Sequence, residues 1–195
     1  MLIIKICLLG DGAVGKTSLR KRFMGEGFEH SYQITIGADF ASKEATLSDG
    51  RKVKFQIWDL AGQSHFNTVR NLYFKGSMGS LAVYDVTRPD TLGNLENWCQ
   101  EFWSLNGAGP RPVITLGNKA DMVAGMRPGS TVSPSKGQQF ADILQTQATE
   151  YGAKMAFYPT SARTGMNVEK AFRILGDYII DYMRANPQYA PPTGV

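Results

Sequence analysis

The chain contains 195 residues, of which 43% are hydrophobic, and it carries a formal net charge of +4. This size allows one substantial buried core, and no break in composition marks a second domain, so we expect a single globular domain. Basic residues are scattered and form one triplet, Arg20-Lys21-Arg22, which we expect to face solvent on a helix, so a nucleic-acid-binding surface is not indicated.

Strand and helix patterns alternate along the sequence. The nearly continuous apolar run at residues 2–9 predicts a parallel strand buried inside a sheet. Residues 39–47 and 52–58 flank an Asp49-Gly50 turn, and this arrangement predicts an antiparallel hairpin. Further strands are predicted at 79–86, 112–117 and 154–159, and helices near 16–24, 67–75, 90–104, 134–150 and 168–182.

The order of these elements predicts the fold class. Strands that alternate with helices indicate a doubly wound α/β sheet, here six-stranded and mostly parallel, with one antiparallel edge strand and helices on both faces. Such sheets bind ligands at the carboxyl ends of their strands. The aperiodic segment 122–134 is predicted to be an exposed loop. The proline-rich segment 186–195 is predicted to be a disordered tail, which leaves residues 1–185 as the domain.

Cysteine content and apolar runs bear on the compartment. Cys7 and Cys99 fall in a predicted buried strand and a predicted helix, where a free thiol behaves as a small hydrophobic group. A reducing, cytoplasmic setting is therefore expected. No apolar stretch approaches the roughly 18 residues that a membrane span requires.

A phosphate-binding loop is predicted directly after the first strand. Residues 10–17 read GDGAVGKT, which matches the P-loop pattern G-x-x-x-x-G-K-[ST], and a helix follows. Glycines allow successive backbone N–H groups to point at phosphate oxygens. Lys16 would lie between the β- and γ-phosphates, and the Thr17 hydroxyl is a hard ligand suited to Mg²⁺. The candidate phosphate-binding residues are Gly12, Ala13, Val14, Gly15, Lys16, Thr17 and Ser18.

Residues 118–121, Asn-Lys-Ala-Asp, indicate which base is bound, because the loop alone suits a kinase, an ATPase or a GTPase. The Asp121 carboxylate can accept hydrogen bonds from N1–H and the 2-amino group of guanine, and since adenine offers neither, such a site can discriminate by roughly 10⁴-fold. Phe28 can either stack on the base or be a core aromatic. The other candidate base-binding residues are Asn118, Lys119, Ser161, Ala162 and Arg163, and the amides of residues 161 and 162 are expected to face the guanine oxygen.

With these motifs, residues 3 to about 183 resemble the Ras superfamily of small GTPases, and most closely its Rab branch. The resemblance is carried by IGADF at 36–40, KFQIWDLAGQ at 54–63, LYFKG at 72–76 and AVYDVT at 82–87. It implies a molecular switch that binds GTP or GDP with Mg²⁺, hydrolyses GTP to GDP and phosphate, and presents two switch loops to effectors in the GTP state.

The resemblance also implies roles for single residues. Thr35 would complete the Mg²⁺ shell only in the GTP state, and Asp59 would hold the metal through water. The Gly62 amide would bind the γ-phosphate, and Gln63 would orient the attacking water. The implied metal site is Thr17, Thr35 and Asp59, and the implied catalytic residues are Lys16, Thr35, Gly62 and Gln63. No arginine supplied in cis is evident, so we expect slow intrinsic turnover and an acceleration of about 10³- to 10⁵-fold by a partner's arginine.

The chain departs from the Rab pattern at several positions. Leu60 and Ser64 replace the usual Thr and Glu near the second switch, and Arg163 replaces a frequent Lys. Residues 190–195 contain no cysteine that could accept a prenyl group, so no lipid anchor is expected, as in the lipidless Rab-like GTPases of archaea and bacteria. The implied partners are effectors, exchange factors and activating proteins, and the protein is expected to be a monomer.

Two other functions are compatible with parts of the sequence. A non-catalytic module could bind guanine nucleotide permanently as a structural element, but it would need neither Gln63 nor the hydroxyls of Thr17 and Thr35. An ATP-dependent kinase or ATPase would share the phosphate loop, and Asp121 argues against adenine. Phosphate release measured with and without Mg²⁺ separates the first of these from a hydrolysing switch.

Overall fold

The computed structural model of the protein describes residues 1–28, 35, 37–60, 72–106, 109–127 and 129–189. None of the helices in these ranges is long and apolar enough to cross a membrane. The strands are β1 (Leu2–Leu9), β2 (Ala38–Thr46), β3 (Lys52–Leu60), β4 (Gly79–Asp85), β5 (Val113–Asn118) and β6 (Met155–Pro159). The α-helices are α1 (Lys16–Met24), α2 (Asp90–Gly93), α3 (Leu95–Asn106), α4 (Pro134–Ala148) and α5 (Val168–Ala185), and short 3₁₀ helices span Ala120–Met122, Thr149–Tyr151 and Pro187–Tyr189.

The described strands form one six-stranded sheet in the order β2-β3-β1-β4-β5-β6. All neighbouring strands are parallel except β2 and β3, whose antiparallel register places Ala38 opposite Leu60 and Thr46 opposite Lys52. The predicted fold class is therefore confirmed, including the antiparallel strand at the edge of the sheet.

Helices cover both faces of the sheet, because β1 directs alternate side chains into two apolar cores. Ile4, Ile6 and Leu8 pack with residues of α1 and α5. Cys7 and Leu9 pack with residues of α3 and α4. A strand covered on both faces must be apolar at successive positions, which explains the continuous apolar run that predicted β1.

Two helix predictions differ from the structure in detail. The helix predicted at 90–104 is divided at Asn94 into α2 and α3. The Asn94 side chain donates a 2.8 Å hydrogen bond to Asp11 Oδ2 in the phosphate loop, so this residue joins the helical segment to the loop. Of the helix predicted at 67–75, residues 72–74 are helical, and 67–71 lie outside the described residues.

Residues 186–189 make defined contacts and include the 3₁₀ helix Pro187–Tyr189, whereas the sequence predicts a disordered tail from residue 186. Asn186 Nδ2 donates to Tyr151 O at 3.2 Å and to Tyr182 O at 3.1 Å. The Tyr189 ring stacks on Tyr182 with 6.2 Å between centroids, and the Arg111 guanidinium lies 5.0 Å from the Tyr189 centroid. The proline content of the segment gave no sign of these ring contacts. Residues 190–195 lie outside the described residues.

Candidate active site

The strands whose ends carry predicted site residues have their carboxyl ends at the same edge of the sheet, where a doubly wound sheet binds its ligands. The phosphate loop follows β1, Asp59 is the penultimate residue of β3, and Asp85 and Asn118 end β4 and β5. Residues 160–163 follow β6. The topology thus brings together segments that are far apart in the chain.

The phosphate loop requires glycine at two positions. Gly10 has a φ of +127° and Gly15 a φ of +100°. A Cβ added at Gly10 would lie 2.1 Å from the Val83 carbonyl oxygen, and one added at Gly15 would lie 2.3 Å from Asn118 Nδ2. Both contacts are far shorter than a van der Waals distance, so only glycine allows the loop to pack this closely on β4 and β5.

Lys16 and the first turn of α1 make the phosphate loop suitable for binding an anion. The Lys16 side chain is buried, and its Nζ donates to Gly10 O at 2.6 Å and to Asp11 O at 2.8 Å. α1 begins at Lys16, and its N-cap residue is Gly15, which has no side chain to cap the helix. Its first backbone N–H groups and the positive end of the helix dipole therefore face the loop together with an ammonium group.

Two residues of the 118–121 motif hold carbonyl groups of the phosphate loop. Asn118 Nδ2 donates to Val14 O at 2.9 Å, and Lys119 Nζ donates to Ala13 O at 2.9 Å. A loop whose carbonyls are held from outside turns its N–H groups toward the concave side. The two predicted nucleotide-binding motifs are thus joined directly.

Sequence reasoning missed Asp85 and Arg88 as residues that support this arrangement. Asp85 is buried, and its Oδ2 lies 2.6 Å from Lys119 Nζ and 3.3 Å from Arg88 Nε. Arg88 Nη2 also donates to Gly12 O at 2.8 Å. Burial by itself would raise the pKa of Asp85, but hydrogen bonds from Lys119 and Thr87 lower that pKa below its ordinary value. Asp85 lies within one of the motifs that carry the family resemblance, whereas nothing in the sequence indicated Arg88.

The carboxylate predicted to select the base, Asp121, lies in the short 3₁₀ helix Ala120–Met122 that follows Asn118 and Lys119. The Asp121 side chain is 16% exposed, and its Oδ2 lies 3.9 Å from Arg163 Nη1. Phe28 is 38% exposed, so the structure excludes the alternative that it is a core aromatic. Both side chains remain accessible to a ligand.

The backbone amides of residues 161 and 162 differ from expectation, because both donate to acceptors within the protein. Ser161 N donates to Met166 O at 3.2 Å, and Ala162 N donates to Asn118 Oδ1 at 3.3 Å. Asn118 Oδ1 also accepts from Thr160 Oγ1 at 3.3 Å. Buried amides need acceptors, so a guanine oxygen here would have to share these long hydrogen bonds.

The three predicted metal ligands fit a Mg²⁺ ion. Thr17 and Thr35 share a 2.8 Å hydrogen bond between their hydroxyls. Asp59 is fully buried, and neither of its carboxylate oxygens has a hydrogen-bond partner among the described residues. Burial raises the pKa of Asp59, against the opposing effects of the Thr17 hydroxyl and the positive charge of Lys16. Hydroxyls and a buried carboxylate are oxygen ligands of the kind that Mg²⁺ prefers.

Two predicted catalytic residues, Gly62 and Gln63, lie outside the described residues, as does Ser64. Their roles therefore stay predictions. Lys16 and Thr35, the other two predicted catalytic residues, lie in the site as described above.

A row of aromatic rings lies on the β2–β3 side of the site. Ring centroids are 5.1 Å apart for Phe40 and Trp58 and 5.3 Å apart for Trp58 and Tyr73. Phe40 is 47% exposed, and the other two rings are partly exposed. Each ring comes from a different one of the motifs that carry the family resemblance. Accessible aromatic clusters of this kind are enriched in protein interfaces.

Comparison with known proteins assigns the family. The model of the Ras family matches residues 5–181. The chain belongs to the Ras family. It is a Rab-like small GTPase, a molecular switch that hydrolyses GTP, as its sequence resemblance implied.

This GTPase is similar to Rab proteins from eukaryotes that are only distantly related to one another. It is 39% identical over 193 residues to the Ras-related protein RABE1e of Arabidopsis thaliana, which covers 99% of this chain and 82% of that protein. It is 38% identical over 178 residues to the Ras-related protein Rab7 of Drosophila melanogaster, with 89% and 78% covered. It is 38% identical over 170 residues to the Ras-related protein Rab-8B of Dictyostelium discoideum, with 87% and 76% covered.

Proposed function

We propose that this small GTPase alternates between GTP- and GDP-bound states with Mg²⁺, that Asp121 selects guanine, and that the loop at 10–17 binds the phosphates. The observation that carries the proposal is the direct connection between the two halves of the site. Asn118 and Lys119 each donate a 2.9 Å hydrogen bond to a carbonyl of the phosphate loop. A base-binding motif and a phosphate-binding loop that are fixed to each other can bind the two ends of one nucleotide.

Base selection follows from the hydrogen-bonding chemistry of Asp121. Its carboxylate accepts from N1–H and the 2-amino group of guanine, and adenine has no donor at either position. Because the Asp121 side chain is largely buried, leaving it without these donors costs free energy, and roughly 10⁴-fold discrimination is attainable. The exposed ring of Phe28 offers a surface on which the base stacks, and Lys119, Ser161, Ala162 and Arg163 complete the base site.

Phosphate and metal binding use the residues around the start of α1. The N–H groups of residues 12–18 and the Lys16 ammonium would bind phosphate oxygens, so Lys16 would exchange its bonds to the loop carbonyls for bonds to the ligand. Thr17, Thr35 and Asp59 would hold Mg²⁺, which when bound supplies positive charge against the β- and γ-phosphates.

Hydrolysis depends on positioning and charge stabilisation. Gln63 would orient the attacking water, while Lys16, Thr35 and the Gly62 amide would bind the terminal phosphate region. Loss of the γ-phosphate would remove a binding partner of Thr35 and Gly62, which would release the two loops that contain these residues. Since no arginine is assigned to the transition state in cis, an activating protein would supply one and accelerate turnover by about 10³- to 10⁵-fold.

Effector proteins would bind the aromatic row of Phe40, Trp58 and Tyr73 in the GTP state, because these rings lie close in sequence to the residues that respond to the γ-phosphate. Phe40 follows Thr35, and Trp58 and Tyr73 come before and after Gly62 and Gln63. Exchange factors and activating proteins are the other partners in the proposal. The protein would act as a monomer in the cytoplasm, where the buried thiols of Cys7 and Cys99 stay reduced.

The substitution Asp121→Asn tests the proposal. Asn presents an N–H donor where the carboxylate accepts, so the variant should bind xanthosine triphosphate, whose C2 carbonyl accepts a hydrogen bond, and should lose roughly 100-fold or more in GTP affinity. Calorimetric titration of each protein with GTP and with xanthosine triphosphate measures the two affinities. Asp142→Asn, on the exposed face of α4, is the matched control and should change neither affinity. A variant at position 121 that keeps its preference for GTP would contradict the proposal.

A further inference from the structure

Arg20 is buried next to Asp59, a residue of the proposed metal site, although the sequence predicted that its basic triplet faces solvent. Its side chain is 8% exposed, and its Nη2 lies 2.6 Å from Asp39 Oδ2. Its Nε lies 3.9 Å from Asp59 Oδ2 and has no hydrogen-bond partner among the described residues. One guanidinium therefore faces two carboxylates, and one of these belongs to the proposed metal site.

The position of Arg20 follows from helix and sheet geometry. Arg20 comes one turn after Lys16 and Thr17 in α1, so the three side chains lie on the same face of the helix. Asp39 and Asp59 are direct partners in the antiparallel register of β2 and β3. Like charges directly opposite each other destabilise a strand pair, and the Arg20 guanidinium offsets this repulsion.

The contact with Asp59 is an approach of charges rather than a hydrogen bond. At 3.9 Å the Nε and Oδ2 atoms are too far apart for a hydrogen bond. Asp39, whose side chain is 52% exposed, takes the close contact instead. Arg20 thus brings a positive charge to Asp59 without occupying the oxygens that would face a metal.

We propose that Arg20 is a positioning residue whose guanidinium serves as a built-in countercation for Asp59 and limits nucleotide loss when Mg²⁺ is removed. The inference rests on the proposed binding of Mg²⁺ and phosphates beside Thr17 and Asp59. Without the metal, the buried carboxylate would face phosphate anions, and the repulsion would speed nucleotide release. Lys16 would be engaged by the phosphates, so Arg20 is the cation that remains to offset the charge of Asp59. Because the same guanidinium also contacts Asp39, it offsets the charge of Asp59 less than it would alone.

Release of a fluorescent GDP analogue tests the inference. The release rate is measured with saturating Mg²⁺ and with excess chelator, and the ratio of the two rates gives the chelator acceleration. Arg20→Met should increase this acceleration by roughly tenfold or more, because a charge about 4 Å from a buried carboxylate is lost. Asp39→Asn should decrease it, since the guanidinium is then left to Asp59 alone. Arg20→Lys keeps the charge and should resemble the unaltered protein more closely than Arg20→Met does.

The controls separate this role from a structural one. Arg184→Met removes an exposed charge in the last turn of α5 and should leave the acceleration unchanged. If the substitutions acted only by disturbing packing, Arg20→Met and Asp39→Asn would change the chelator acceleration in the same direction. The inference requires changes in opposite directions. If the unaltered protein and both variants bind GDP and show the same chelator acceleration, the inference is overturned and the proposed function stands. If the unaltered protein binds no GDP, the proposed function is overturned together with the inference. Where Arg20→Met does not fold, an unchanged acceleration in Asp39→Asn overturns the inference.

Discussion

At the scale of single residues, Asp85 supports the nucleotide site through its neighbours. It contacts Lys119 at 2.6 Å and Arg88 at 3.3 Å, and these two cations hold the carbonyls of Ala13 and Gly12. A buried ion pair contributes less to stability than its Coulombic attraction suggests, because desolvation opposes that attraction. We therefore expect the main effect of Asp85 to be the orientation of Lys119 and Arg88 toward the phosphate loop.

Replacing Asp85 by Asn removes the charge that orients these two cations. Because hydrogen bonds to charged groups are about twice as strong as neutral ones, the carbonyls of the phosphate loop should be held less firmly, and GDP release should accelerate by roughly tenfold. Stopped-flow fluorescence with a labelled GDP measures the rate. Asp142→Asn serves again as the exposed control, and an unchanged release rate in Asp85→Asn would remove Asp85 from this role.

The same carboxylate predicts a pH dependence of stability. The folded-state pKa of Asp85 is lowered, so its ionised form contributes stability that is fully present above the unfolded-state value of about 3.9. This contribution is lost as the pH falls through the folded-state pKa. The difference in melting temperature between the unaltered protein and Asp85→Asn should therefore shrink as the pH is lowered below about 4. A difference that does not vary with pH would show that the charge of Asp85 adds nothing to stability.

Gln63 is the residue whose predicted role is purely catalytic. Gln63→Leu should keep GTP affinity and lose most hydrolysis, since leucine cannot orient a water by hydrogen bonds. Single-turnover phosphate release measures the rate, with Gln138→Leu on the exposed surface of α4 as the matched control. An unchanged rate in Gln63→Leu would exclude Gln63 from the mechanism.

At the scale of elements, the junction of β1, the phosphate loop and α1 requires glycine at positions 10 and 15. Gly10→Ala should lower the free energy of unfolding by about 2 kcal/mol or more, because the new methyl would overlap the Val83 carbonyl oxygen at a positive φ. Urea unfolding of the nucleotide-free protein measures the loss. Gly93→Ala in α2, where an added Cβ meets nothing within 4 Å, should not destabilise the protein, and a similar loss in both variants would refute the argument.

The elements themselves were largely predictable from the sequence, because each depends on local patterns. The apolar run of β1 and the Asp49-Gly50 turn between β2 and β3 are examples. The contacts that complete the site join residues distant in sequence, and no local pattern indicates them. Arg88 and Gly12 are 76 residues apart, and helical periodicity alone did not show that Arg20 faces inward toward Asp39.

At the scale of the whole molecule, the site joins two parts of the sheet with different tasks. The β4–β6 part supplies the residues that fix the phosphate loop and that, in the proposed function, select the base. The β2–β3 edge supplies Asp59 and the rings of Phe40 and Trp58, and Thr35 precedes β2 in the chain. Arg20 links this edge to α1 through Asp39. The presence of the terminal phosphate is therefore expected to change the β2–β3 edge, while the β4–β6 part keeps the nucleotide in place.

Calorimetric titration of the nucleotide-free protein with GTP and with ATP, both with Mg²⁺, tests the central claim most directly. If the Asp121 carboxylate selects the base while the loop around Lys16 binds the phosphates, GTP should bind roughly 10⁴-fold more tightly than ATP. Equal affinities for the two nucleotides would contradict the account.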